Sequence, residues 1–130
     1  MEIVIELVVK DVFKAAEFYI EYLGFKIDFT EFEPVSWIQL RNGNTRLMLV
    51  TYDFTKNDIK NFKEYSESTN IYKFCYKSLD EVKEIYEKMK KDNKNIIVDL
   101  READYRYEFG VYDEDRNMIF ITKETVGNDN

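Results

Sequence analysis

The sequence predicts an α+β fold built from two β-α-β-β-β modules, and three observations carry that expectation. First, one pattern occurs twice: the stretch from Val9 to Tyr19, closing at Leu23-Gly24-Phe25, returns from Tyr76 to Tyr86. Second, each copy runs from an apolar strand through a capping residue into apolar residues at helical spacing. Third, each helix is followed by short runs of strand-forming residues with turn residues between them. A chain whose halves repeat in this way is expected to be one domain made by duplication, its units closing around a shared cavity. The expected layout is a single domain over residues 1–130, with module one at 1–52, a linker at 53–69 and module two at 70–124.

The first strand is expected from Glu2 to Val9. Asp11 follows, and its short carboxylate can accept hydrogen bonds from the free amides that open a helix. Val12, Ala15, Ala16, Tyr19, Tyr22 and Leu23 fall on one stripe of that helix, and Gly24 is placed to end it in a left-handed conformation. Three strands follow, near Lys26 to Glu31, Val35 to Leu40 and Thr45 to Thr51. Pro34 separates the first two, and Asn42-Gly43-Asn44 turns the last pair as a hairpin. The polar stretch from Tyr52 to Thr69, with Phe54, Ile59, Phe62 and Tyr65 scattered through it, reads as the linker, with room for a short helix.

The second module opens with a strand near Asn70 to Tyr76. Ser78-Leu79-Asp80-Glu81 is a capping box, its hydroxyl and carboxylate each satisfying an amide at the helix start. Leu79, Val82, Ile85, Tyr86 and Met89 make the apolar stripe of this helix. Strands near Asn95 to Leu100, Arg106 to Tyr112 and Met118 to Lys123 complete the module. Asp113 to Asn117 forms its last turn, and Val126 to Asn130 is expected to fray.

Composition bounds the function. A chain of 130 residues, 45% hydrophobic and 16% aromatic, is large enough to bury a core as one domain. Its formal net charge of -7 argues against a nucleic-acid partner, which calls for a concentrated basic face, and suits a cationic one better. The single Cys75 cannot form an internal disulfide, and Met1-Glu2-Ile3-Val4 opens as an ordinary strand, so a cytoplasmic location is expected. No run approaches the roughly 20 apolar residues of a membrane span, and no membrane partner is expected.

These residues resemble the vicinal oxygen chelate superfamily, the group that holds glyoxalase I, extradiol dioxygenases, fosfomycin-resistance enzymes and bleomycin-resistance proteins. The likeness runs from Val9-Lys10-Asp11, Phe18-Tyr19 and Leu23-Gly24-Phe25 through to Phe109-Gly110-Val111-Tyr112-Asp113-Glu114-Asp115-Arg116-Asn117-Met118-Ile119-Phe120. That last stretch is similar to the family's Phe-x-x-x-Asp-Pro-x-Gly-Asn ending, with Glu114 in place of proline and Arg116 in place of glycine. The resemblance implies that the two modules form a curved, eight-stranded, open barrel-like sheet around a cavity. It also implies paired modules, within one chain or swapped between two. A homodimer is expected, because open edges and an apolar groove call for a cover.

Metal-dependent members of the superfamily hold a divalent ion through histidine, carboxylate or amide side chains on four cavity-facing strands. By the family's spacing those positions are Val4, seven residues before Asp11, and Ile71, seven before Ser78, with Met48 in the fourth strand and Phe120 three after Asn117. All four are apolar, and the chain has 0 histidines. Divalent ions call for imidazole nitrogen or oxygen donors, and a lone thioether serves them poorly. The resemblance therefore implies no metal ligands, no cofactor, no catalytic residues and none of the chemistry that rests on a metal as Lewis acid. The bleomycin-resistance type keeps the fold without the metal and sequesters a large cationic drug in a dimer groove. Arg106-Tyr107-Glu108-Phe109 is similar to that type's Arg-Glu-Phe segment, with Tyr107 inserted.

Strand alternation assigns the cavity lining without the family. If Val4, Met48, Ile71 and Phe120 point inward, then Glu2, Glu6, Arg46, Val50, Lys73, Cys75, Met118 and Thr122 share their face. Leu7, Leu47, Leu49, Phe74, Ile119 and Ile121 then point to the helices. The same parity sends Trp37, Gln39, Arg106, Glu108 and Tyr112 inward. The candidate ligand-binding set is Glu6, Trp37, Gln39, Arg46, Met48, Lys73, Arg106, Glu108, Tyr112 and Phe120, a mixture of apolar surface and a few charges that suits a small-molecule site. Glu6 and Glu108 can equally pair with Arg46, Lys73 or Arg106 across the sheet.

Three functions follow. The leading one is a metal-free protein that captures a small aromatic or cationic molecule, with antibiotic sequestration as one use. The second is a lyase, isomerase or other enzyme of the superfamily in which Glu6 or Glu108, its pKa raised by desolvation, is a general base. The third is a sensory or structural module whose groove is filled by its own side chains.

Overall fold

The computed structural model describes residues 1–30, 35–62 and 69–125. Glu31 at the end of the second expected strand, Pro34, the linker stretch holding Tyr65, and the tail from Val126 lie outside the described residues. The chain divides into two compact units, Met1–Ser66 and Glu67–Asn130.

In the first unit the order is β1 (Ile5–Val9), α1 (Val12–Leu23), β2 (Lys26–Thr30), β3 (Trp37–Asn42), β4 (Thr45–Thr51) and α2 (Tyr52–Asp58). The four strands form a sheet in the order β1-β4-β3-β2, with β1 and β4 parallel and the other pairs antiparallel. α1 starts where the sequence predicts, because Asp11 Oδ1 accepts from the Phe13 and Lys14 amides at 2.9 and 3.1 Å. It stops at Gly24, whose φ of 79° costs a residue without a Cβ nothing. Asn42 Nδ2 then donates to the Leu23 carbonyl at 2.8 Å and ties the end of the helix to β3. The buried face of α1, Val12, Ala15, Ala16, Phe18, Tyr19, Tyr22 and Leu23, packs on β3 and β4, where Ile38, Leu40, Leu47 and Leu49 are buried. Each of the buried valine, leucine, isoleucine and phenylalanine side chains contributes roughly 1.5–3 kcal/mol by leaving water.

The span read as a linker with room for a short helix opens with a helix, α2. Thr51 caps α2 by accepting from the Phe54 amide at 3.1 Å, and the helix lies against β1 and β4.

The second unit repeats the plan with β5 (Ile71–Cys75), α3 (Leu79–Lys91), β6 (Ile96–Ala103), β7 (Arg106–Tyr112) and β8 (Met118–Glu124), in the order β5-β8-β7-β6. Its core is Val82, Tyr86 and Met89 of α3 against Phe109, Val111, Ile119 and Ile121, all buried. The capping box differs in detail from the expected one. Ser78 Oγ accepts from the Glu81 amide, while the Glu81 carboxylate accepts from the Ser78 hydroxyl, both at 3.1 Å, in place of a second amide. The last turn is held by the buried Asp113, which accepts from the Asp115 and Asn117 amides and from Asn117 Nδ2 at 2.8–2.9 Å. Arg116, standing where the resemblance has glycine, takes a φ of 63° there.

β6 runs three residues beyond its expected end at Leu100, because Asp104-Tyr105 turns a tight hairpin that pairs Ala103 with Arg106 and Arg101 with Glu108. Gly110 is the close-approach position of β7. A Cβ there would stand 2.8 Å from Phe120 Cζ and 3.0 Å from Cε1, so the Phe120 ring lies on the bare backbone of its register partner. Gly110→Ala is expected to destabilise the protein by about 2 kcal/mol, the scale of overpacking. Combined with Phe120→Leu, the loss should fall short of the sum of the single losses by about 1 kcal/mol. Urea unfolding of the four proteins of the cycle measures both, and strict additivity would show that the two groups do not press on each other.

Candidate functional site

In each unit the helix takes one face of the sheet, and the other parity of side chains defines an open face. On the first sheet that face carries Glu6 beside Met48, Met48 beside Gln39, and Trp37 beside Val50, each pair being register partners. Trp37 and Phe29 stack, with ring centroids 5.2 Å apart and planes 27° from parallel. Phe29, on the edge strand β2, keeps 52% of its surface exposed. Beside this pair runs a polar chain. Arg46 donates to Glu2 through Nη2 and to Gln39 Oε1 through Nη1 at 3.3 Å, and Gln39 Nε2 donates to Asp28, which also meets Arg41 Nε at 3.3 Å. The hydrogen bond from Gln39, reinforced by Arg41, holds the Asp28 carboxyl below its ordinary pKa. The open face of the first sheet is thus an aromatic pair bordered by a paired hydrogen-bonding network.

On the second sheet Lys73, Arg106 and Glu108 come together. The Glu108 side chain is only 1% exposed, and it accepts from Arg106 Nε and Arg101 Nη2, both at 2.8 Å, with Lys73 Nζ at 3.7 Å. Burial works to raise the Glu108 carboxyl, but the hydrogen bonds from Arg106 and Arg101 and the charges of Arg106 and Lys73 outweigh it and hold the group below its ordinary pKa. The raised pKa expected of a desolvated general base is therefore absent at Glu108; the arginines reverse the sign. Tyr112 lies two register steps beyond Gly110, against the Arg116 guanidinium at 4.8 Å, and is not part of this cluster. Cys75 is exposed, and desolvation followed by the Glu124 carboxylate raises its thiol pKa, the opposite of nucleophile activation.

Sequence reasoning missed Arg101, Asp28, Phe29 and Arg41. Arg101 had a readable signal: once Asp104-Tyr105 is taken as a two-residue turn, counting back puts Arg101 opposite Glu108. Phe29 had none, since β2 carries a register irregularity between Ile27 and Phe29 that parity alone does not reveal.

The positions that the resemblance assigns to metal donors lie on these two faces. Val4 and Met48 in the first unit and Ile71 and Phe120 in the second offer hydrocarbon or thioether atoms; of the neighbours that carry oxygen or nitrogen, Gln39, Arg46 and Glu108 are bound to one another or to arginines, and Glu6, beside Met48, is a single carboxylate, with no group of three or more His, Cys, Asp or Glu side chains placed to share an ion among the described residues. The residues present do not fit a divalent ion.

Glu108 also gives a pH prediction. A carboxyl whose folded pKa lies below its unfolded value, about 4.3, adds stability that is complete above that value and is lost as pH falls through the lowered one. Glu108→Gln is expected to cost about 2 kcal/mol at neutral pH, the scale of hydrogen bonds to a charged group moderated by the partial exposure of its arginines. The gap from the natural protein should narrow as pH drops below about 4. Unfolding measured across pH checks this, and a gap that does not change with pH would mean the loss is packing and not charge.

A sequence model of the glyoxalase/bleomycin resistance protein/dioxygenase superfamily matches residues 3–121. No curated protein sequence matches the chain. Solved structures share its fold. A glyoxalase-related enzyme from Fulvimarina pelagi superposes with a TM-score of 0.81 at 17% identity over 97% of this chain and 89% of that one. A glyoxalase/bleomycin resistance protein/dioxygenase family enzyme from Burkholderia phytofirmans gives 0.80 at 17% identity over 93% and 96%. A genomically encoded fosfomycin resistance protein from Listeria monocytogenes gives 0.74 at 18% identity over 98% and 96%.

Proposed function

This chain belongs to the glyoxalase/bleomycin resistance protein/dioxygenase superfamily, and within it we propose a metal-free protein that captures a small aromatic molecule on the open face of its first sheet. The observation that carries the reading is the Trp37–Phe29 stack, half open to solvent beside the hydrogen-bonded chain of Gln39, Arg46 and Asp28. Aromatic rings stacked at a surface offer a further ring a ready face, and the polar border orients what lands there. Glu6 and Met48, on the same face, complete the surface. Sequestration of a planar antibiotic is one use such a surface serves.

Two parts of the sequence-based expectation change weight. For the cationic half of that expectation the candidate carboxylates narrow to Glu6, since that of Glu108 is taken by Arg101 and Arg106. The carboxylate-base enzyme loses Glu108 for the same reason. The aromatic half gains Phe29 beside Trp37.

Because Trp37 is the protein's 1 tryptophan, its fluorescence reports the site directly. Titration with 2-naphthol is expected to give a saturable change in Trp37 emission. Phe29→Ala should weaken that binding by about fivefold, the scale of one aromatic pair, while the melting temperature stays nearly constant because the ring is half exposed. Quenching that rises without saturation, or that Phe29→Ala leaves unchanged, would overturn the reading.

A further inference from the structure

The second sheet carries a charge imbalance that its own fold does not consume. Three cationic side chains, Lys73, Arg101 and Arg106, converge on the single carboxylate of Glu108 at 3.7, 2.8 and 2.8 Å. Arg106 has a second anchor, donating through Nη1 to the Asp104 carbonyl at 2.9 Å, and the Asp104 charge acts on it. Glu124, the register partner of Arg106, takes the Cys75 thiol at 3.8 Å. That leaves Lys73 and Arg101 sharing one negative charge. Both remain open to solvent, with side chains 42% and 48% exposed, while the carboxylate between them is buried. Arg101 uses only Nη2 in its contact with Glu108, so the rest of its guanidinium fork faces outward from that bond. Thr122, the register partner of Glu108, adds a wholly buried hydroxyl with no hydrogen-bond partner among the described residues.

We propose that Lys73 and Arg101, held in place by Glu108, form a binding site for the carboxylate group of a small organic anion on the open face of the second sheet. This site lies on the second unit alone and goes beyond the ligand-binding reading given above, since its ligand carries an acidic group and is distinct from the aromatic molecule proposed for the first sheet. Glu108 is then a positioning residue: buried, it holds Arg101 through Nη2 and Lys73 through its ammonium group, and leaves the rest of the Arg101 fork and the remaining N–H bonds of Lys73 for the ligand. A monoanion is favoured because the excess is one positive charge, and a planar carboxylate matches the free edge of the Arg101 fork. A phosphate dianion would leave the site with a net negative charge.

The test is an NMR titration of the full chain with sodium benzoate, following the backbone amides of Glu108 and Thr122 at constant ionic strength. Benzyl alcohol, inorganic phosphate and chloride are the comparison arms. Benzoate is expected to give saturable shifts at both amides and the other three none that saturate. Lys73→Ala and Arg101→Ala, each at a half-open side chain, should fold and should weaken benzoate about tenfold, the scale of one charge-assisted hydrogen bond. Silence at both amides in the natural protein, or benzoate binding unchanged in Lys73→Ala, would overturn the site. Tighter saturation by phosphate than by benzoate would overturn its assignment to a carboxylate. The Trp37 fluorescence titration lies on the other unit, so a saturable Trp37 response with silent Glu108 and Thr122 amides discards the anion site alone. The converse discards the stacking site alone.

Discussion

Period-two alternation, with one face of each sheet claimed by its helix, is the constraint on which the rest of this structure depends. Ile38, Leu40, Leu47 and Leu49 bury themselves against α1, and Phe109, Val111, Ile119 and Ile121 against α3. Slipping any of these strands by one residue would move its whole apolar set into the other face. Once that parity is fixed, Trp37, Gln39, Lys73, Glu108 and Thr122 have only the open faces left. A carboxylate delivered by β7 to such a position, and buried there, needs partners, because an unpaired buried charge costs several kcal/mol. The Asp104-Tyr105 hairpin delivers one of them, setting Arg101 directly across from Glu108. The same pairing that stabilises the carboxylate spends its basicity, which is why a group that looks like a general base in the sequence is a clamp in the fold.

The superfamily's scaffold is kept here, while the four positions that the resemblance assigns to metal donors, Val4, Met48, Ile71 and Phe120, carry apolar side chains. At 17–18% identity to solved structures with TM-scores of 0.74–0.81, the likeness speaks for architecture and leaves chemistry to the side chains. Those side chains are consistent with one another. Phe120, three residues beyond Asn117, lays its ring on Gly110, so the glycine of β7 and the aromatic of β8 form a packing pair at the position that the resemblance assigns to a metal donor. Restoring such a donor at Phe120 would leave a void over Gly110 as well as an oxygen with nothing to bind.

The sequence made most of the fold legible because its signals are local and redundant. Asp11 and Gly24 bracket α1, Ser78 opens α3, and the strands over 106–112 and 45–51 follow the expected spans. Boundaries failed where a turn was misread: β6 continues to Ala103 because Tyr105 accepts a φ of 64° in a two-residue hairpin, a conformation that residue type does not advertise. α2 was only half visible, since Tyr52–Asp58 has little apolar periodicity and its Thr51 cap sits at the end of a strand. The candidate site was legible as parity and not as partnership. Alternation put Lys73, Arg106 and Glu108 on one face, while the number of cations around Glu108 depends on Arg101, which lay beyond the expected strand. The sign of the Glu108 shift depends on that count.

Under the function proposed above, this superfamily scaffold binds its ligand without a metal. The most direct measurement is native mass spectrometry of the full chain after equilibration with zinc, nickel and manganese salts and removal of excess ion. The account predicts the mass of the metal-free protein in every case. A retained single ion that is lost on replacing a residue beside Val4, Met48, Ile71 or Phe120 would contradict it and return metal chemistry to these sheets.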